Sequence, residues 1–287
     1  MPASPTPPDR AVDRDRERAE DSYGERAEGA LGGVREIAYV RAPNPGPLTL
    51  SGTNTWVVGR GPAWIVDPGP RIESHLQRLS AAIEARGGLA GVALTHDHSD
   101  HTEGVAALLE RHPAPLAAAS GEVDVRLSGD ARFGPFQAIP TPGHAPDHVA
   151  LIAEGACFTG DAVLGAGSVF ISPHRGAMSG YLGALRRLRA REDFDVLCPG
   201  HGPPVWDVHA KLDEYIAHRL AREAALLAAL EQGRRSVAEL LDAAWWDVPE
   251  GLRPVAALTL AAHLDKLEEE GRLPPGVERP SFAGGDQ

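Results

Sequence analysis

The sequence predicts an α/β protein that is followed by a small, mainly helical domain. Between about residues 35 and 160, short runs of β-branched and aromatic residues alternate with Gly/Pro turns and with stretches whose apolar residues have helical spacing. Beyond Trp206 this alternation gives way to three helical stretches joined by short turns. A chain of 287 residues with 43% hydrophobic residues is long enough to fold in this way around a substantial core.

Predicted strands and helices alternate in the larger part of the chain. The helices carry apolar residues three and four positions apart, at Ile72–Arg86 and Glu103–Arg111. In α/β folds functional residues lie at the ends of strands, so the polar residues that close the strands are the first candidates for a site. The predicted strands are Thr55–Gly59, Ala63–Gly69, Gly91–Thr95, His148–Ala153 and Ala156–Asp161.

The helical part begins with Asp207–Leu230, a long stretch rich in Ala and Leu. Ser236 is a good N-cap residue for the next helix, and Pro254 opens a third helix that ends at Gly271. Three helices with short turns indicate a helix-turn-helix unit. The predicted organisation is a disordered N-terminal tail over 1–33, a main domain over 34–206, a helical domain over 207–275 and a loose tail over 276–287.

Composition disfavours several classes of protein. No apolar run approaches the roughly 18–20 residues of a membrane-spanning helix, and the N-terminal residues lack the apolar stretch of a signal peptide. Cys157 and Cys198 each lie in an apolar segment, so we expect no disulfide framework, no membrane contact and a cytoplasmic location. The formal net charge of -12 disfavours non-specific attraction to nucleic acid over the whole surface, although a local basic groove is compatible with it.

The stretch LTHDHSDH, Leu94–His101, holds three histidines and two aspartates directly after an apolar run. His96 and His98 project to the same side if the chain stays extended, and imidazole is the commonest nitrogen ligand of zinc. Asp100 and His101 lie just before a predicted helix, so the chain turns there and directs them to a neighbouring point. One loop can therefore serve two metal ions. Burying so many polar groups near strand ends is costly unless a metal coordinates them.

Three polar residues further along the chain complete the candidate metal set. They are His144 in TPGHAPDH, Asp161 in FTGD and His201 in CPGHG, and in each case Gly or Pro bends the chain so that a ligand can leave the strand edge. Asp161 is the candidate bridge, because a carboxylate has two oxygens and can serve both ions. The alternative is that each is an ordinary turn or cap residue. Their occurrence together with the upstream cluster favours metal binding.

The segment HDHSDH is the His-x-His-x-Asp-His signature of the metallo-β-lactamase fold hydrolases, and the chain resembles that family. The resemblance implies an αββα sandwich with a dinuclear metal site, in which Asp100 and Asp161 also have catalytic roles. Asp67 in IVDPG is similar to the family's buried aspartate that orients a histidine ligand, with an ordinary turn aspartate before Pro-Gly as the alternative. The implied ligands are His96, His98 and His144 for the first ion, Asp100, His101 and His201 for the second, and Asp161 as the bridge.

Four further segments carry a narrower resemblance: Asn44–Gly59, Thr141–Leu151, Phe158–Phe170 and Tyr215–Leu230. They are similar to the group named for mammalian β-lactamase-like protein 2, over about Gly46 to Leu273. This resemblance implies that the last three helices form a small winged-helix-like domain. The chain departs from the group at Gly180, where the group often has Asp or another polar residue.

The implied ligands suit two Zn²⁺ ions. Zinc has no redox chemistry and lowers the pKa of bound water from about 15.7 to about 7, which makes hydroxide available at neutral pH. Two ions roughly 3.5–4 Å apart can also polarise a carbonyl or phosphoryl oxygen and stabilise the leaving oxygen. Mn²⁺ and Fe²⁺ are alternatives because they accept the same ligands. No Cys occupies a ligand position, unlike in many zinc β-lactamases, so we do not expect antibiotic hydrolysis.

The sequence leaves three functions open. The resemblance implies phosphodiester cleavage of single-stranded RNA first, with hydrolysis of a thioester, as in glyoxalase II, or of a lactone as the alternative. Asn54, Thr55 and His174 are the candidate substrate contacts. A DNA-binding regulator is the third hypothesis, but the helix that begins at Pro254 carries several acidic residues that would repel duplex DNA. The oligomeric state and the proton donor to the leaving group are not determined by the sequence.

Overall fold

The computed structural model of the protein describes residues 28–31 and 36–282, which form two compact units. The first unit contains residues 28–31, 36–139, 149–167 and 192–207, and the second contains residues 140–148, 168–191 and 208–282. The last of these borders lies next to the predicted boundary at Trp206. The second unit also takes in two earlier segments, 140–148 and 168–191, that the sequence assigned to the main domain.

The first unit contains a mixed sheet of seven strands. In chain order these strands, β1 to β7, are Glu28–Ala30, Ile37–Arg41, Asn54–Val58, Ala63–Val66, Leu89–Ala93, Leu116–Ala118 and Val125–Arg126. Neighbouring strands are antiparallel from β1 to β4 and parallel from β4 to β7. All five residues of β3 are buried, as expected for a strand that is covered on both faces.

A second sheet of five strands completes the first unit. Its strands, β8 to β12, are Arg132–Phe133, Phe136–Pro140, Val149–Ala153, Ala156–Gly160 and Val196–Pro199. Strand β11 lies between β10, to which it is antiparallel, and β12, to which it is parallel. The carboxyl ends of β11 and β12 therefore lie at the same edge of the sheet.

The two sheets face each other across an apolar core, because successive side chains of a strand point to opposite faces. Trp56 of β3 contacts Phe158 of β11 edge to face, with ring centroids 5.9 Å apart. Val57, the next residue, points away from this core and packs in a separate cluster with Leu79 of the first helix, α1, Glu73–Glu84. The first sheet is thus covered by the second sheet on one face and by helix on the other.

The strands that carry candidate site residues are shorter than predicted. Strand β4 ends at Val66 and β5 ends at Ala93, so the polar residues that follow them lie on loops. The predicted helix Glu103–Arg111 is present as α3, Val105–Arg111, and is preceded by a single turn, α2, Ser99–Thr102. The turn holds the second half of the LTHDHSDH stretch.

The second unit is helical. Its helices are α4, Ala177–Arg189; α5, Val208–Glu231; α6, Val237–Ala244; and α7, Arg253–Glu269. Helices α5 to α7 correspond to the three predicted helices. Ser236 caps α6 in a capping box, since its hydroxyl accepts the N–H of Glu239 while the Glu239 carboxylate accepts the N–H of Ser236. Helix α4 was not predicted, because Gly180 and Gly183 lower its helix propensity.

The three C-terminal helices share one apolar core. Leu226 of α5, Leu240 of α6 and Leu260 of α7 are fully buried in it, together with Trp245 at the end of α6. No one of these helices could bury its apolar face alone, so the core explains why they fold as a group.

The two predicted tails are corrected in part. Glu28–Ala30 pairs with β2, so the prediction of disorder is wrong for these three residues, and residues 1–27 and 32–33 lie outside the described part of the chain. Near the other end, Arg279 forms ion pairs with Asp265 and Glu268 of α7, and the N–H of Glu278 donates to the carbonyl of Arg235. The prediction of a loose tail is therefore wrong at Glu278 and Arg279, and residues 283–287 lie outside the described part.

Within the described residues, no helix combines the length and the apolar character that crossing a membrane requires. Cys157 and Cys198 are both buried, on the adjacent strands β11 and β12, and they are not joined in a disulfide. Burial raises the pKa of the Cys198 thiol well above its usual value, which keeps this side chain neutral and suited to core packing.

Candidate metal centre

The strand ends of the first unit place most of the predicted ligands at one site. Strands β4 and β5 are parallel, as are β11 and β12, so in each pair the carboxyl ends meet at one edge. Asp67 follows β4, His96 and His98 follow β5, Asp161 follows β11, and His201 lies just beyond β12. These positions agree with the general location of sites at strand ends in α/β proteins.

Two overlapping groups of ligand atoms lie there. The ligand atoms of His96, His101 and Asp161 lie within 4.8 Å of one another, and so do those of Asp100, His101 and His201. His98 adjoins the first group, since its ring centroid is 4.6 Å from that of His96. His101 belongs to both groups, whereas the sequence resemblance implied that it serves the second ion alone.

Asp161 lies between the two groups. Its Oδ1 is 3.6 Å from Nε2 of His101, and its Oδ2 is 3.3 Å from Nε2 of His201. The ligand oxygen of Asp161 also lies within 4.8 Å of the ligand atom of His96, so Asp161 is near a predicted ligand of the first ion as well as near predicted ligands of the second, as a bridging ligand would be. Asp100 faces the same two histidines, with its Oδ2 3.2 Å from Nε2 of His201 and 3.6 Å from Nε2 of His101.

Asp67 lies behind the ligands and is buried, with a positive φ of 53° that turns the chain at the end of β4. Its Oδ1 accepts the backbone N–H of Thr95 at 2.8 Å, and its Oδ2 accepts the Thr95 hydroxyl at 2.7 Å. The same Oδ2 accepts Nδ1–H of His101 at 2.9 Å. Because the Thr95 hydroxyl donates to Asp67, its oxygen accepts Nδ1–H of His96 at 2.9 Å. One carboxylate thus orients two histidine rings.

These contacts set which nitrogen of each ring is the ligand atom. A ring that donates from Nδ1 has its lone pair on Nε2. His101 and His96 donate in this way to Asp67 and Thr95, and His201 Nδ1 lies 3.4 Å from the carbonyl oxygen of Gly52, which can only accept. In all three rings Nε2 therefore carries the lone pair that is available to a metal.

Charge at the site favours a cation. Burial lowers the pKa of His201, but the carboxylates of Asp161 and Asp100 outweigh burial and raise this pKa to about 10. Burial likewise lowers the pKa of His101, and Asp161, Asp67 and Asp100 together raise it above its usual value. Burial raises the pKa of Asp100, but its hydrogen bond with His201 and the charges of His101 and His201 bring it down to about 2. In the absence of a metal, protons on His101 and His201 balance the negative charge of the carboxylates.

The donor set fits a pair of divalent cations. When these imidazoles are neutral and their Nδ1–H groups are committed, the Nε2 lone pairs face carboxylate oxygens, acceptor against acceptor, at 3.2–3.6 Å. A cation between them removes this conflict and compensates the buried carboxylates. Zinc, manganese and iron all accept such nitrogen and oxygen ligands. Gly200 keeps the space open, since a Cβ there would clash with Oδ1 of Asp161 and lie 2.6 Å from Cε1 of His101.

His144, the remaining predicted ligand, lies in the second unit on the loop after β9. It is buried, and its Nδ1 lies 3.2 Å from the carbonyl oxygen of Phe170, to which it donates. Its ring also packs against that of Phe170, with centroids 4.6 Å apart. The lone pair of His144 is therefore on Nε2 as well, and the place of His144 in the first metal site stays a prediction.

The predicted substrate contacts lie in three different surroundings. Asn54 is fully buried, and its amide nitrogen donates to the carbonyls of Pro199 and Gly202 on either side of His201. Thr55 is also fully buried, and its hydroxyl lies 3.0 Å from Nε2 of His75. In the second unit, the half-buried His174 donates from Nδ1 to the carbonyl of Ser172. Contact of any of the three with substrate stays a prediction.

Sequence reasoning missed the hydroxyl groups that support the ligands. Thr95 directly precedes His96 and connects it to Asp67, while Thr53 donates to Oδ2 of Asp100 at 3.2 Å. The signal for Thr95 was available, because a polar residue that ends an apolar strand next to a ligand needs a buried hydrogen-bond partner. Thr53 and Asp100 are 47 positions apart in the sequence, so no local sequence pattern predicts their contact.

Two facing mixed sheets with a His/Asp cluster at their strand ends define a metal-dependent hydrolase. A model of the metallo-beta-lactamase superfamily matches residues 48–130 and 122–201, and a model of the beta-lactamase associated winged helix domain matches residues 236–273. The chain therefore belongs to the metallo-beta-lactamase superfamily, as the sequence resemblance implied, and carries a C-terminal winged helix domain.

Individual relatives agree with this assignment. The beta-lactamase-like protein 2 homolog of Caenorhabditis elegans is 30% identical, over 86% of this chain and 87% of that protein. The atrochrysone carboxyl ACP thioesterase nsrC of Aspergillus novofumigatus is 32% identical, over 83% of this chain and 80% of that protein. A crystal structure of a beta-lactamase domain protein from Burkholderia ambifaria, 20% identical, has a TM-score of 0.71 over 84% of this chain and 90% of that chain, which shows the fold.

Proposed function

We propose that the protein is a dinuclear zinc hydrolase that cleaves acyl thioesters in the cytoplasm. The observation that carries the dinuclear part is the position of Asp161, which belongs to the first group of ligand atoms and whose Oδ2 lies 3.3 Å from Nε2 of His201 in the second group. The proposed ligands are His96, His98 and His144 for the first ion, Asp100, His101 and His201 for the second, and Asp161 for both. The buried cysteines are compatible with a reducing compartment.

When bound, two such ions lower the pKa of water and polarise the oxygen of a substrate carbonyl. The chain's own residues provide the arrangement. Asp67 and Thr95 hold the rings of His101 and His96 in one orientation, so the ligands need no rearrangement when substrate arrives. Asp100 has the more exposed of the two ligand carboxylates, with 28% of its side-chain surface accessible to water.

The chemistry of the leaving group favours a thioester. Burial raises the pKa of Asp100, but its hydrogen bond with His201 and the charges of His101 and His201 bring this pKa down to about 2, so the Asp100 carboxylate is a poor proton donor. A thiol has a pKa of about 8.5 and can depart as the thiolate, whereas an RNA alkoxide needs a proton as it leaves. The name of the Aspergillus novofumigatus relative, an ACP thioesterase, points to the same substrate class.

Single-stranded RNA is the second candidate, and a different observation favours it. Arg175 and Arg186 are exposed on the second unit, before and within α4, where they can contact phosphates. A regulator that binds duplex DNA is disfavoured, because Lys266 of α7 is held by Glu223 and Glu270 at 2.8 and 2.7 Å.

The test combines metal analysis with a substrate panel. The purified protein is analysed for metal content and then assayed with an acyl-glutathione, an acyl-CoA, a simple lactone and a short single-stranded RNA, before and after treatment with a chelator. We expect about two ions per chain and metal-dependent release of thiol. Cleavage of RNA or lactone without thiol release would overturn the thioester proposal, and fewer than two ions would overturn the dinuclear one.

A variant connects the activity to the site. Asp161→Ala removes the bridge, so we expect metal content and hydrolysis to fall together, with activity below detection. Asp195→Ala removes an exposed carboxylate of the same unit and is the matched control, with metal content and activity like those of the unaltered chain. Full activity with two ions retained in Asp161→Ala would contradict the bridging role.

A further inference from the structure

Asn44 and Thr53 form a pair of side chains in front of strand β3 that reaches the metal centre. Thr53 is fully buried and Asn44 is half-buried. The backbone N–H of Thr53 donates to Oδ1 of Asn44 at 2.9 Å, and Nδ2 of Asn44 donates to the Thr53 hydroxyl oxygen at 2.9 Å. The Thr53 hydroxyl lies 3.2 Å from Oδ2 of Asp100.

The directions of these three hydrogen bonds follow from the one that the backbone N–H of Thr53 donates. A backbone N–H can only donate, so the atom of Asn44 that receives it is the carbonyl oxygen. The other end of the Asn44 amide is then the NH₂ group, which donates to the Thr53 oxygen. With that oxygen serving as an acceptor, the single Thr53 hydroxyl proton points to Asp100, a carboxylate that can accept it.

Residues 52–54 also support His201, another member of the second ligand group. The backbone of Thr53 forms an antiparallel bridge with His201, and the carbonyl of Gly52 faces Nδ1 of the His201 ring. Asn54 follows and holds the loop on both sides of His201 through the carbonyls of Pro199 and Gly202. Residues 52–54 therefore contact both Asp100 and His201.

We propose that Asn44 and Thr53 position Asp100 for the second metal ion and thereby set the affinity of that ion separately from the first. The inference rests on the proposed dinuclear function. Oδ2 of Asp100, which Thr53 contacts, is also the oxygen that faces His101 and His201. The Asp100 carboxylate is partly exposed to water, and ordering it when the metal binds would cost entropy. Because Thr53 already holds this carboxylate in place, that entropic cost is smaller and the affinity for the second ion is higher. His96 of the first group is oriented instead through the hydroxyl of Thr95, which donates to Asp67.

The test measures metal affinity without any substrate. The metal-depleted protein is titrated with Zn²⁺ in competition with a chromophoric chelator, so that two binding steps are resolved. Thr53→Val has nearly the same volume but lacks the hydroxyl, and we expect one of the two steps to lose about 10–100-fold in affinity while the other changes by less than about twofold. Thr53→Ser keeps the hydroxyl and should restore the affinity.

Thr55→Val is the matched control, because Thr55 is equally buried two residues further along the chain and its hydroxyl contacts His75 instead of a ligand. We expect its two metal affinities to equal those of the unaltered chain. If Thr53→Val does not fold, Asn44→Ala carries the test, since it leaves the hydroxyl but removes the group that orients it. For this variant we expect a loss of the same kind, confined to the same binding step.

The outcomes separate this inference from the proposed function. If the unaltered chain takes up fewer than two ions, the dinuclear function fails. If it takes up two ions and Thr53→Val or Asn44→Ala binds both with unchanged affinity, the positioning role is wrong. Equal weakening of both steps, or no recovery in Thr53→Ser, would show a general structural effect and would also overturn the inference.

Discussion

Replacing Asp67 with Asn tests how far one buried carboxylate organises the whole metal centre. Asn has nearly the same shape but offers one acceptor oxygen and one NH₂ group. The backbone N–H of Thr95 can only donate, so the amide oxygen must take the place of Oδ1. In the unaltered chain Oδ2 of Asp67 accepts from both Nδ1–H of His101 and the Thr95 hydroxyl. In the variant the NH₂ group takes the place of this oxygen, so donors face a donor. His101 must move its proton to Nε2, which removes the lone pair that a metal needs.

The size of the effect follows from how many ligands depend on Asp67. Loss of the outer partner of a histidine ligand typically lowers metal affinity about 10–100-fold, or about 1.4–2.7 kcal/mol. Because the Nε2 of His101 belongs to both groups of ligand atoms, we expect both binding steps to weaken by such an amount. His96, oriented through Thr95, should add to the loss at the first step.

The assay is the competition titration with Zn²⁺ described above, together with thermal unfolding of the metal-depleted protein to show that the variant folds. Asp124→Asn is the control, because the carboxylate of Asp124 also accepts a backbone N–H, that of Leu116, but is exposed at the surface. Affinities within about twofold of the unaltered chain in Asp67→Asn would refute the argument that this carboxylate sets the ligand orientation.

Two further predictions concern space and pH. Gly200→Ala places a methyl group against Oδ1 of Asp161, so we expect a loss of metal affinity of about tenfold or more by the same titration, whereas Gly183→Ala, whose methyl group has room, should keep it. Burial lowers the pKa of His75 from 6.5 to about 4. Between pH 4 and pH 6.5 the unfolded chain therefore binds a proton at His75 that the folded chain does not bind. The free energy of unfolding should therefore fall by up to about 3 kcal/mol as the pH drops from 6.5 to 4, relative to His75→Gln. An NMR titration midpoint for His75 near 6 would contradict this.

The fold elements that were predicted well are those with strong local patterns. The helices α5 and α7 and the strands β3 and β11 have long apolar periodicities or clear turn residues at their ends, and their observed limits lie close to the predicted ones. Helix α4 was missed because its glycines weaken the local signal, although Tyr181 and Leu185 on its buried face now explain why it forms. Strand β1 was missed because pairing with β2, a tertiary contact, stabilises it.

The site shows the same division between local and distant information. The spacing of His96, His98, Asp100 and His101 is a local pattern with a direct chemical meaning, so sequence reasoning found it. Asn54 illustrates the limit, because its side chain hydrogen-bonds residues about 145 positions away, Pro199 among them. A polar residue in a turn-like segment can contact a substrate or hold a loop, and only the folded chain distinguishes the two.

The charge at the centre connects folding to metal binding. Three carboxylates, those of Asp67, Asp100 and Asp161, lie close together, although bringing buried charges of one sign together costs stability. Hydrogen bonds to Asp67 and protons on His101 and His201 offset part of this cost in the metal-depleted protein. Metal ions must displace those protons, so the affinity for metal should rise with pH until the imidazoles are neutral. The three carboxylates at the strand ends are unfavourable for folding by themselves, and the proposed chemistry depends on them.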